Sequence, residues 1–353
     1  MIKNTWFVDP EQLNPEQGPI IDLPSDKSYL IKGPPGSGKT NLLLLRANFL
    51  AIDRHPNLRI VVFTRMLQSF LVSGAEQYDF KASRITTLKR WEMDLLYEHG
   101  FRAKPPAEHD QQRRYYIERI QELIDAGEIA PNLYEVTLLD EAQDYLPEEV
   151  KVFRKLSKAI FAVADSRQKI YPTADCMAEL EASVDETKEL QYHHRCSIPI
   201  CRLADALTKN PDYEPMEHTS NYDDARWPSS NPTYARVKSV EEEAKEIMSK
   251  LGHQIKAYPG ELIGVVTPTN EDVQAIWSVI QGSSLAQFCV LRASDDDTPF
   301  DPAAPIWLAT MHSFKGLEAR ALHIAGLAKL SHFPKQRNLI YTSVRECPVD
   351  RRK

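Results

Sequence analysis

The segment GPPGSGKT, residues 33–40, constrains the fold of this chain more than any other feature of the sequence. It matches the pattern G-x-x-x-x-G-K-[ST] and stands between an apolar, strand-like run, SYLIK, and a helix-like run, TNLLLLRANFL. In that context the pattern predicts a loop whose backbone N–H groups face phosphates at a helix N-terminus. We expect Lys39 to reach the β and γ phosphates of ATP and Thr40 to bind Mg²⁺.

Glycines in this loop let the backbone curl around the phosphates. The other residues that we expect to surround the nucleotide are Gly33, Pro34, Pro35, Gly36, Ser37 and Gly38. The alternative is a glycine-rich turn that arose by chance. A phosphate loop occurs in kinases, GTPases, transporters and motors alike, so the rest of the sequence must distinguish among them.

Short apolar, β-branched runs alternate with longer helix-like segments along the chain. In the first half these runs are SYLIK and residues 59–64, 135–140 and 159–164, and in the second half they are ELIGVVT, PIWLAT and NLIYTSV. This alternation predicts an α/β fold with parallel β-sheets flanked by helices. An amphipathic stretch near residues 239–252 is expected to be one of the helices.

Length and composition favour two domains and argue against several classes of protein. The 353 residues suffice for two cores, and we expect domains over 1–187 and 188–353. No apolar run approaches the roughly 20 residues that span a bilayer, so we expect a cytoplasmic protein without a membrane partner. The net charge of -7 does not suggest a dedicated nucleic-acid-binding module, although a local cleft could still hold a strand. Five scattered cysteines, none in a C-x-x-C pair, argue against disulfides or a zinc ribbon.

An acidic pair follows one of the predicted strands. The run EVTLLD ends at Asp140 and Glu141 comes next, at the strand's carboxyl end, where ligands bind in open α/β sheets. Asp140 is expected to hold Mg²⁺ beside the nucleotide, and Glu141 to orient and deprotonate the attacking water. The alternative is that the two acids merely begin a helix.

From Asp140 to Asp144 the sequence reads DEAQD, and here the chain resembles the UvrD/Rep helicases of superfamily 1. The resemblance implies two RecA-like P-loop NTPase domains and extends, motif by motif, over residues 13–345. LNPEQ, FTRML and ITTLKRW occur in the family's order. They imply that Gln17 contacts adenine and that Thr64 and Thr87 contact a nucleic-acid strand.

The later motifs of the resemblance supply residues from the second half of the chain. ADSRQKIY implies that Gln168 senses the γ-phosphate, and YHHRC implies that Arg195 is the first arginine finger. TMHSFKGLEA is a near-literal copy of a family motif. It implies that His312 lies near the strand, and that Gly316 and Glu318 lie at the nucleotide, with Glu318 at the ribose.

The last motif departs from the family pattern. NLIYTSVR implies that Arg345 is the second finger, but its register is one residue short. We therefore expect that the end of the second domain is altered or truncated. For both Arg195 and Arg345 the alternative is a surface arginine that pairs with a neighbouring carboxylate.

Two aromatic positions of the family are also replaced. The tryptophan that stacks on a base is absent, which leaves Tyr171, His312 or Trp91 as substitutes, although core packing is the commoner use of a residue such as Trp91. His194 stands in place of the adenine-stacking tyrosine. Its alternative is a metal site with His193, Cys196 and Cys201, which we do not predict.

Three functions remain compatible with these features. The first is an ATP-dependent helicase or translocase on single-stranded DNA, with 3′ to 5′ polarity implied by the resemblance; RNA remains open, since backbone contacts look alike. The second is a nucleic-acid-stimulated ATPase subunit that regulates a protein partner such as a nuclease. It is favoured by the absence of sequence for the family's accessory domains. The third is an inactive ATP-binding scaffold.

Overall fold

The computed structural model describes residues 10–53, 55, 57–102, 105–165, 175–207, 214–222, 231–292, 300–327, 340 and 343–344. In this part of the chain two parallel β-sheets are flanked by helices, which confirms the predicted α/β class.

The first sheet has six strands in the order β3-β2-β4-β5-β1-β6, and all neighbours are parallel. Its strands are β1 (Tyr29–Lys32), β2 (Leu58–Val62), β3 (Ile85–Thr87), β4 (Tyr134–Leu139), β5 (Ser157–Ala164) and β6 (Glu186–Glu189). The helices of this part are α1 (Gly18–Ile21), α2 (Lys39–Ile52), α3 (Arg65–Ser73), α4 (Leu88–Glu98), α5 (His109–Asp125), α6 (Pro147–Leu156) and α7 (Met177–Ser183). The central strands β1 and β4 are almost wholly buried, as expected for parallel strands covered on both faces.

The second sheet has four strands in the order β10-β7-β9-β8, again all parallel. They are β7 (Ile263–Thr267), β8 (Cys289–Leu291), β9 (Ile306–Thr310) and β10 (Ala321–Ile324), accompanied by α8 (Ile198–Leu207), α9 (Val240–Ala257) and α10 (Asn270–Ile280). Helix α9 is the predicted amphipathic segment. It begins where the Ser239 side chain accepts a hydrogen bond from the Glu242 amide at 3.2 Å, and the acidic residues that follow suit the positive end of the helix dipole.

One apolar core connects the two sheets. Phe70 of α3 lies 5.6 Å, between ring centroids, from Phe300, which in turn lies 5.5 Å from the fully buried Trp307 of β9. The same cluster contains Leu67 of α3 and Leu317, which follows β9. The two halves therefore share buried surface, and the loops at their junction have defined neighbours.

One expectation from the sequence needs correction. The run NLIYTSV was predicted as a strand, but its described residues Ile340, Ser343 and Val344 are helical. Ile340 and Val344 are both buried, and their spacing of four residues fits one face of a helix. Strand β6, which spans the expected domain boundary at 187/188, pairs with β1 as far as Glu189.

Four of the strands, β3, β6, β8 and β10, were not predicted from the sequence, and all four stand at the edges of their sheets. β3 and β8 have three residues each, β6 alternates partly buried with exposed residues, and the four residues of β10 are only partly buried. Such strands lack the apolar run that marks a buried one. In the described part of the chain, no helix combines the length and apolarity that crossing a bilayer requires.

Candidate nucleotide site

The phosphate loop curls through two glycines with positive φ angles, 75° at Gly36 and 81° at Gly38. Gly38 is also the N-cap residue of α2. A Cβ atom at Gly36 would lie 2.7 Å from the Cβ of Arg195, and one at Gly38 would lie 2.8 Å from Nε2 of Gln17. The backbone conformation therefore favours glycine at both positions, and at Gly36 the Cβ of Arg195 also leaves no room for a side chain.

Lys39 is folded back onto its own loop. Its ammonium donates hydrogen bonds to the carbonyl oxygens of Gly33 at 2.9 Å and Pro34 at 2.8 Å. Phosphate oxygens are charged acceptors and bind an ammonium more strongly than carbonyls do. Lys39 can thus turn from the loop to a bound polyphosphate without leaving a buried charge unpaired.

Thr40 and Asp140 meet at the end of the loop, as a magnesium site requires. The Thr40 hydroxyl lies 3.1 Å from Oδ2 and 3.3 Å from Oδ1 of Asp140. Burial, together with repulsion from Glu141, raises the pKa of Asp140 to about 7. A hydroxyl and a carboxylate are oxygen ligands that Mg²⁺ accepts alongside water and phosphate, and its charge would offset the burial of Asp140. These residues therefore fit the ion.

Glu141 is held in a strained position at the carboxyl end of β4. Its φ angle is 48°, which is uncommon outside glycine and is found where surrounding contacts fix the backbone. Its Oε2 accepts hydrogen bonds from Nε2 of Gln143 and, at 3.2 Å, from Nζ of Lys315. Burial works to raise the pKa of Glu141, but the positive charges of Lys315 and Lys39 outweigh it and the pKa lies below its usual value.

Lys315 brings a charge from the second half of the chain into the first. Its side chain is 1% exposed and contacts the carboxylates of both Glu141 and Asp144. Burial raises the pKa of Asp144 to about 6, against the attraction of Lys315. Sequence reasoning missed this pairing, although Asp144 and Lys315 both belong to quoted motifs, because nothing local joins residues 171 positions apart.

Arg195 lies against the phosphate loop and pairs with Glu318. The guanidinium and the carboxylate form an ion pair in which each side chain is 13% exposed. The neighbouring His194 amide donates to the Gly36 carbonyl at 3.0 Å, which fixes this segment on the loop. The structure thus brings the predicted finger and the predicted ribose ligand together at the loop.

The two residues predicted to meet the base, Gln17 and His194, both contact the loop through hydrogen bonds. Nε2 of Gln17 donates to the Ser37 carbonyl at 2.8 Å, so this amide supports the loop. Nε2 of His194 lies 2.7 Å from Nδ2 of Asn14. Burial lowers the pKa of His194, which favours the neutral form of its ring.

An open pocket joins these parts. Its lining consists of Pro35, Gly36, Gly38, Lys39, Thr40, Asn41, Glu141, Arg195, Gly316 and Glu318. All of these except Asn41 were predicted from the sequence. Asn41 follows directly after Thr40, and its place in the first turn of α2 is the signal that could have identified it.

The strand-contact candidates have structural roles as well. The Thr64 hydroxyl accepts from the Leu67 amide at 3.2 Å, and the Thr87 hydroxyl accepts from the Arg90 amide at the same distance, so the two residues cap α3 and α4. Thr87 is only 3% exposed, whereas His312 is exposed. Contact with a strand stays a prediction for all three.

Trp91 is a core residue and does not substitute for the missing stacking tryptophan. It is 3% exposed, its indole N–H donates to the Tyr134 hydroxyl at 3.0 Å, and its ring lies 4.4 Å from that of Phe153. The other predicted site residues, Gln168, Tyr171 and Arg345, lie outside the described residues.

The metal alternative for the His194 segment can be compared with the geometry. His193 is fully buried, and its Nε2 lies 2.8 Å from the Met216 carbonyl oxygen and 3.7 Å from Sγ of Cys201. Within the described ranges, no group of three or more His, Cys, Asp or Glu side chains is arranged to hold a metal ion.

Comparison of the sequence with protein-family models and with curated proteins gives no match. Among solved structures, the chain is similar to the Pif1 helicase from Candida albicans, at 14% identity and a TM-score of 0.44, over 77% of this chain and 54% of that chain. It is also similar to the Hef helicase domain from Pyrococcus furiosus, at 10% identity and a TM-score of 0.36, over 95% and 93% of the two chains. The chain thus spans about half the length of the Pif1 structure. Because these identities and TM-scores are low, neither similarity carries a functional conclusion.

Proposed function

We propose that this chain hydrolyses ATP with Mg²⁺ and uses the hydrolysis to move along single-stranded DNA, as a helicase or translocase of the UvrD/Rep type. The observation that carries the proposal is the composition of the pocket. Lys39, Thr40 and Glu141 line it from the first half, and Arg195 and Glu318 line it from the second. A pocket built in this way is complete only when the two halves are together.

Each side chain has a defined task in phosphoryl transfer. Lys39 binds the β and γ phosphates, and Glu141 accepts the proton of the attacking water. Thr40 and Asp140 would hold Mg²⁺, which neutralises charge on the phosphates. Arg195 leaves Glu318 to meet the transferring phosphoryl group, and such an arginine contributes on the order of 10³ to 10⁵ in rate in related NTPases.

Movement follows from the division of the site between the halves. Binding of ATP favours closure because phosphates attract Lys39 and Arg195 at once, and hydrolysis removes that link. A strand bound across both halves would then be moved by each cycle. Thr64 of the first half and His312 of the second are the candidates for gripping it, and 3′ to 5′ movement is what the family resemblance implies.

The first experiment measures ATP hydrolysis by the purified chain with and without single-stranded DNA. Lys39→Ala and Glu141→Gln are expected to abolish strand-stimulated turnover, since removal of a general base alone costs about 10² to 10⁴ in rate. Lys32→Ala is the matched control, because Lys32 directly precedes the loop but pairs with Glu181 at the surface. Turnover that survives both site substitutions would contradict the proposal, and so would a wild-type chain that binds ATP without hydrolysing it.

The second candidate is a nucleic-acid-stimulated ATPase that regulates a partner, such as a nuclease, without unwinding DNA itself. Between Thr87 and β4 the described chain contains only α4 and α5, which leaves little structure for separating a duplex. Displacement of streptavidin from biotin at either DNA end, measured beside duplex unwinding, distinguishes the two. Directional displacement supports the motor, whereas stimulated hydrolysis without displacement or unwinding supports the regulator. Replacing the DNA with RNA in the same assays tests the strand preference.

A further inference from the structure

The buried lysine of the second half, Lys315, contacts the proposed base of the first half. Its ammonium lies 3.2 Å from Oε2 of Glu141 and also contacts the carboxylate of Asp144. Lysine is almost never fully buried unless it is paired, and here both partners come from the other half of the molecule. The contact therefore exists only while the two halves are together.

The contact holds one carboxylate oxygen of Glu141. This also defines the direction in which the other oxygen points. Oε2 accepts from both Lys315 and Gln143. Oε1 lies on the side of Gly316, 3.9 Å from where a Cβ atom of that glycine would stand, and both residues line the nucleotide pocket. A carboxylate that is held by one oxygen presents its second oxygen to water in a constant direction, which is what a general base requires.

The backbone of Lys315 is docked on the part of the first half that is proposed to bind the strand. The Thr64 hydroxyl lies 3.5 Å from the Lys315 carbonyl oxygen, and a Cβ atom at Gly316 would lie 3.0 Å from Leu67 of α3. The exposed His312 is in the same short loop, three residues earlier. Thr64 and His312, which are proposed to contact a strand, and Lys315, which holds the proposed base, therefore lie at the same contact between the two halves.

We infer that Lys315 is a positioning residue for Glu141, through which an occupied strand site raises the rate of ATP hydrolysis. The inference rests on the proposed function. A strand that bridges Thr64 and His312 holds the loop of Lys315 against α3, and the lysine in turn holds Glu141 toward the pocket. Asp144 is the second anchor of the ammonium and keeps it in place when Glu141 accepts a proton.

The test compares Lys315→Met and Asp144→Asn with the wild type in hydrolysis at saturating single-stranded DNA. We expect Lys315→Met to lower the strand-stimulated kcat by about tenfold or more, with the KM for ATP within about threefold, because an orienting contact acts on the chemical step. Asp144→Asn is expected to have a smaller effect of the same kind. Lys151→Met, which removes an exposed lysine, is the control.

A purely structural ion pair would give a different pattern. Loss of the lysine could unfold the chain by leaving Asp144 buried without its partner, so the double variant Lys315→Met/Asp144→Asn removes both charges. If that variant is folded by circular dichroism, binds ATP and DNA, and hydrolyses ATP at the wild-type stimulated rate, the inference is wrong. If it is folded and binds both but has lost the stimulation, the inference holds. A wild-type chain without stimulated turnover would overturn the proposed function itself, which the same assay reveals separately.

Discussion

The two walls of the pocket are built in different ways. The wall from the first half consists of the loop between β1 and α2 and the turn after β4, where each side chain is placed by the strand or helix next to it. The wall from the second half consists of Arg195 and the Gly316–Glu318 segment, which come from separate loops. Arg195 and Glu318 are 123 positions apart in sequence.

The difference separates nucleotide binding from hydrolysis. A wall that follows from local backbone geometry is present whenever the first half is folded, so phosphates can bind there at any time. A wall that depends on contacts between distant segments forms only when the halves approach. We therefore expect substitutions in the phosphate loop of the first wall to affect binding. Substitutions in the second wall, like replacement of the proposed base Glu141, should affect mainly the rate.

The largest expected effect that tests this comparison is that of Arg195→Ala. Loss of an arginine that stabilises the transferring phosphoryl group should lower kcat by on the order of 10³, while binding of a fluorescent ATP analogue is retained. Steady-state hydrolysis and a nucleotide titration measure the two quantities. Arg202→Ala is the control, because Arg202 is exposed and pairs with Glu217. Equal losses in binding and rate would show that the two walls are not distinct.

The same difference explains what could be predicted from the sequence. The loop at 33–40 and the pair Asp140 and Glu141 were identified because each motif lies beside the strand that positions it. The ion pair between Lys315 and the acids after β4 could not be identified, since it depends on how two sheets pack. Burial of Thr87 was equally hidden, because a short polar motif looks the same in sequence at a surface and in a core. For Trp91, core packing was already the commoner alternative.

The segment around Ile340 shows a second limit. Its apolar residues fit a short strand and one face of a helix equally well, and periodicity does not decide between them. Strand β6 shows the reverse case, in which pairing with β1 outweighs a polar sequence, ETKE, that gives no strand signal. The long, apolar strands and helices were predicted from the sequence, whereas the edge strands and the contacts between the two sheets were not.

A smaller effect is expected where the two walls touch. Gly36→Ala adds a Cβ atom 2.7 Å from that of Arg195, whereas Gly127→Ala adds one with no atom within 4 Å, and both glycines have a φ angle of 75°. Both variants should lose about 1 to 2 kcal/mol of stability through the left-handed conformation. Only Gly36→Ala should also lower the rate of stimulated hydrolysis, because only its Cβ atom clashes with Arg195. The rate should fall by about tenfold for each 1.4 kcal/mol that the clash adds to the free energy of closure.

Urea unfolding of the two glycine variants measures the cost of the left-handed backbone conformation. ATP hydrolysis measures the effect of the contact with Arg195. If both variants hydrolyse ATP equally well, Gly36 is required only for its backbone conformation, and the approach of Arg195 contributes nothing to the closed site.

The smallest expected effect concerns buried charged residues that contact the turn after β4, which is part of the first wall. Arg113 donates to both oxygens of Glu149 and, at 3.0 Å, to the carbonyl of Asp144. Glu92 of α4 is 1% exposed, and its pKa lies well above its usual value because it is buried and repelled by Glu149, against the attraction of Arg113 and Lys89. The folded protein thus binds the Glu92 proton more tightly than the unfolded chain does.

Glu92→Gln should therefore change the pH dependence of stability and leave hydrolysis unchanged. Above the unfolded pKa of about 4.3, the free energy of unfolding of the wild type falls by up to about 1.4 kcal/mol per pH unit until the folded pKa is reached. Glutamine cannot lose a proton. The free energy of unfolding of the variant, measured in urea, should therefore rise relative to that of the wild type as the pH increases from 5 to 8. Glu98→Gln, on the exposed side of α4, is the control. Parallel curves for Glu92→Gln and the wild type would mean that Glu92 is ionised in the folded protein and that Arg113 neutralises two carboxylates there. A change in kcat would mean that these buried charged residues also set the position of Glu141.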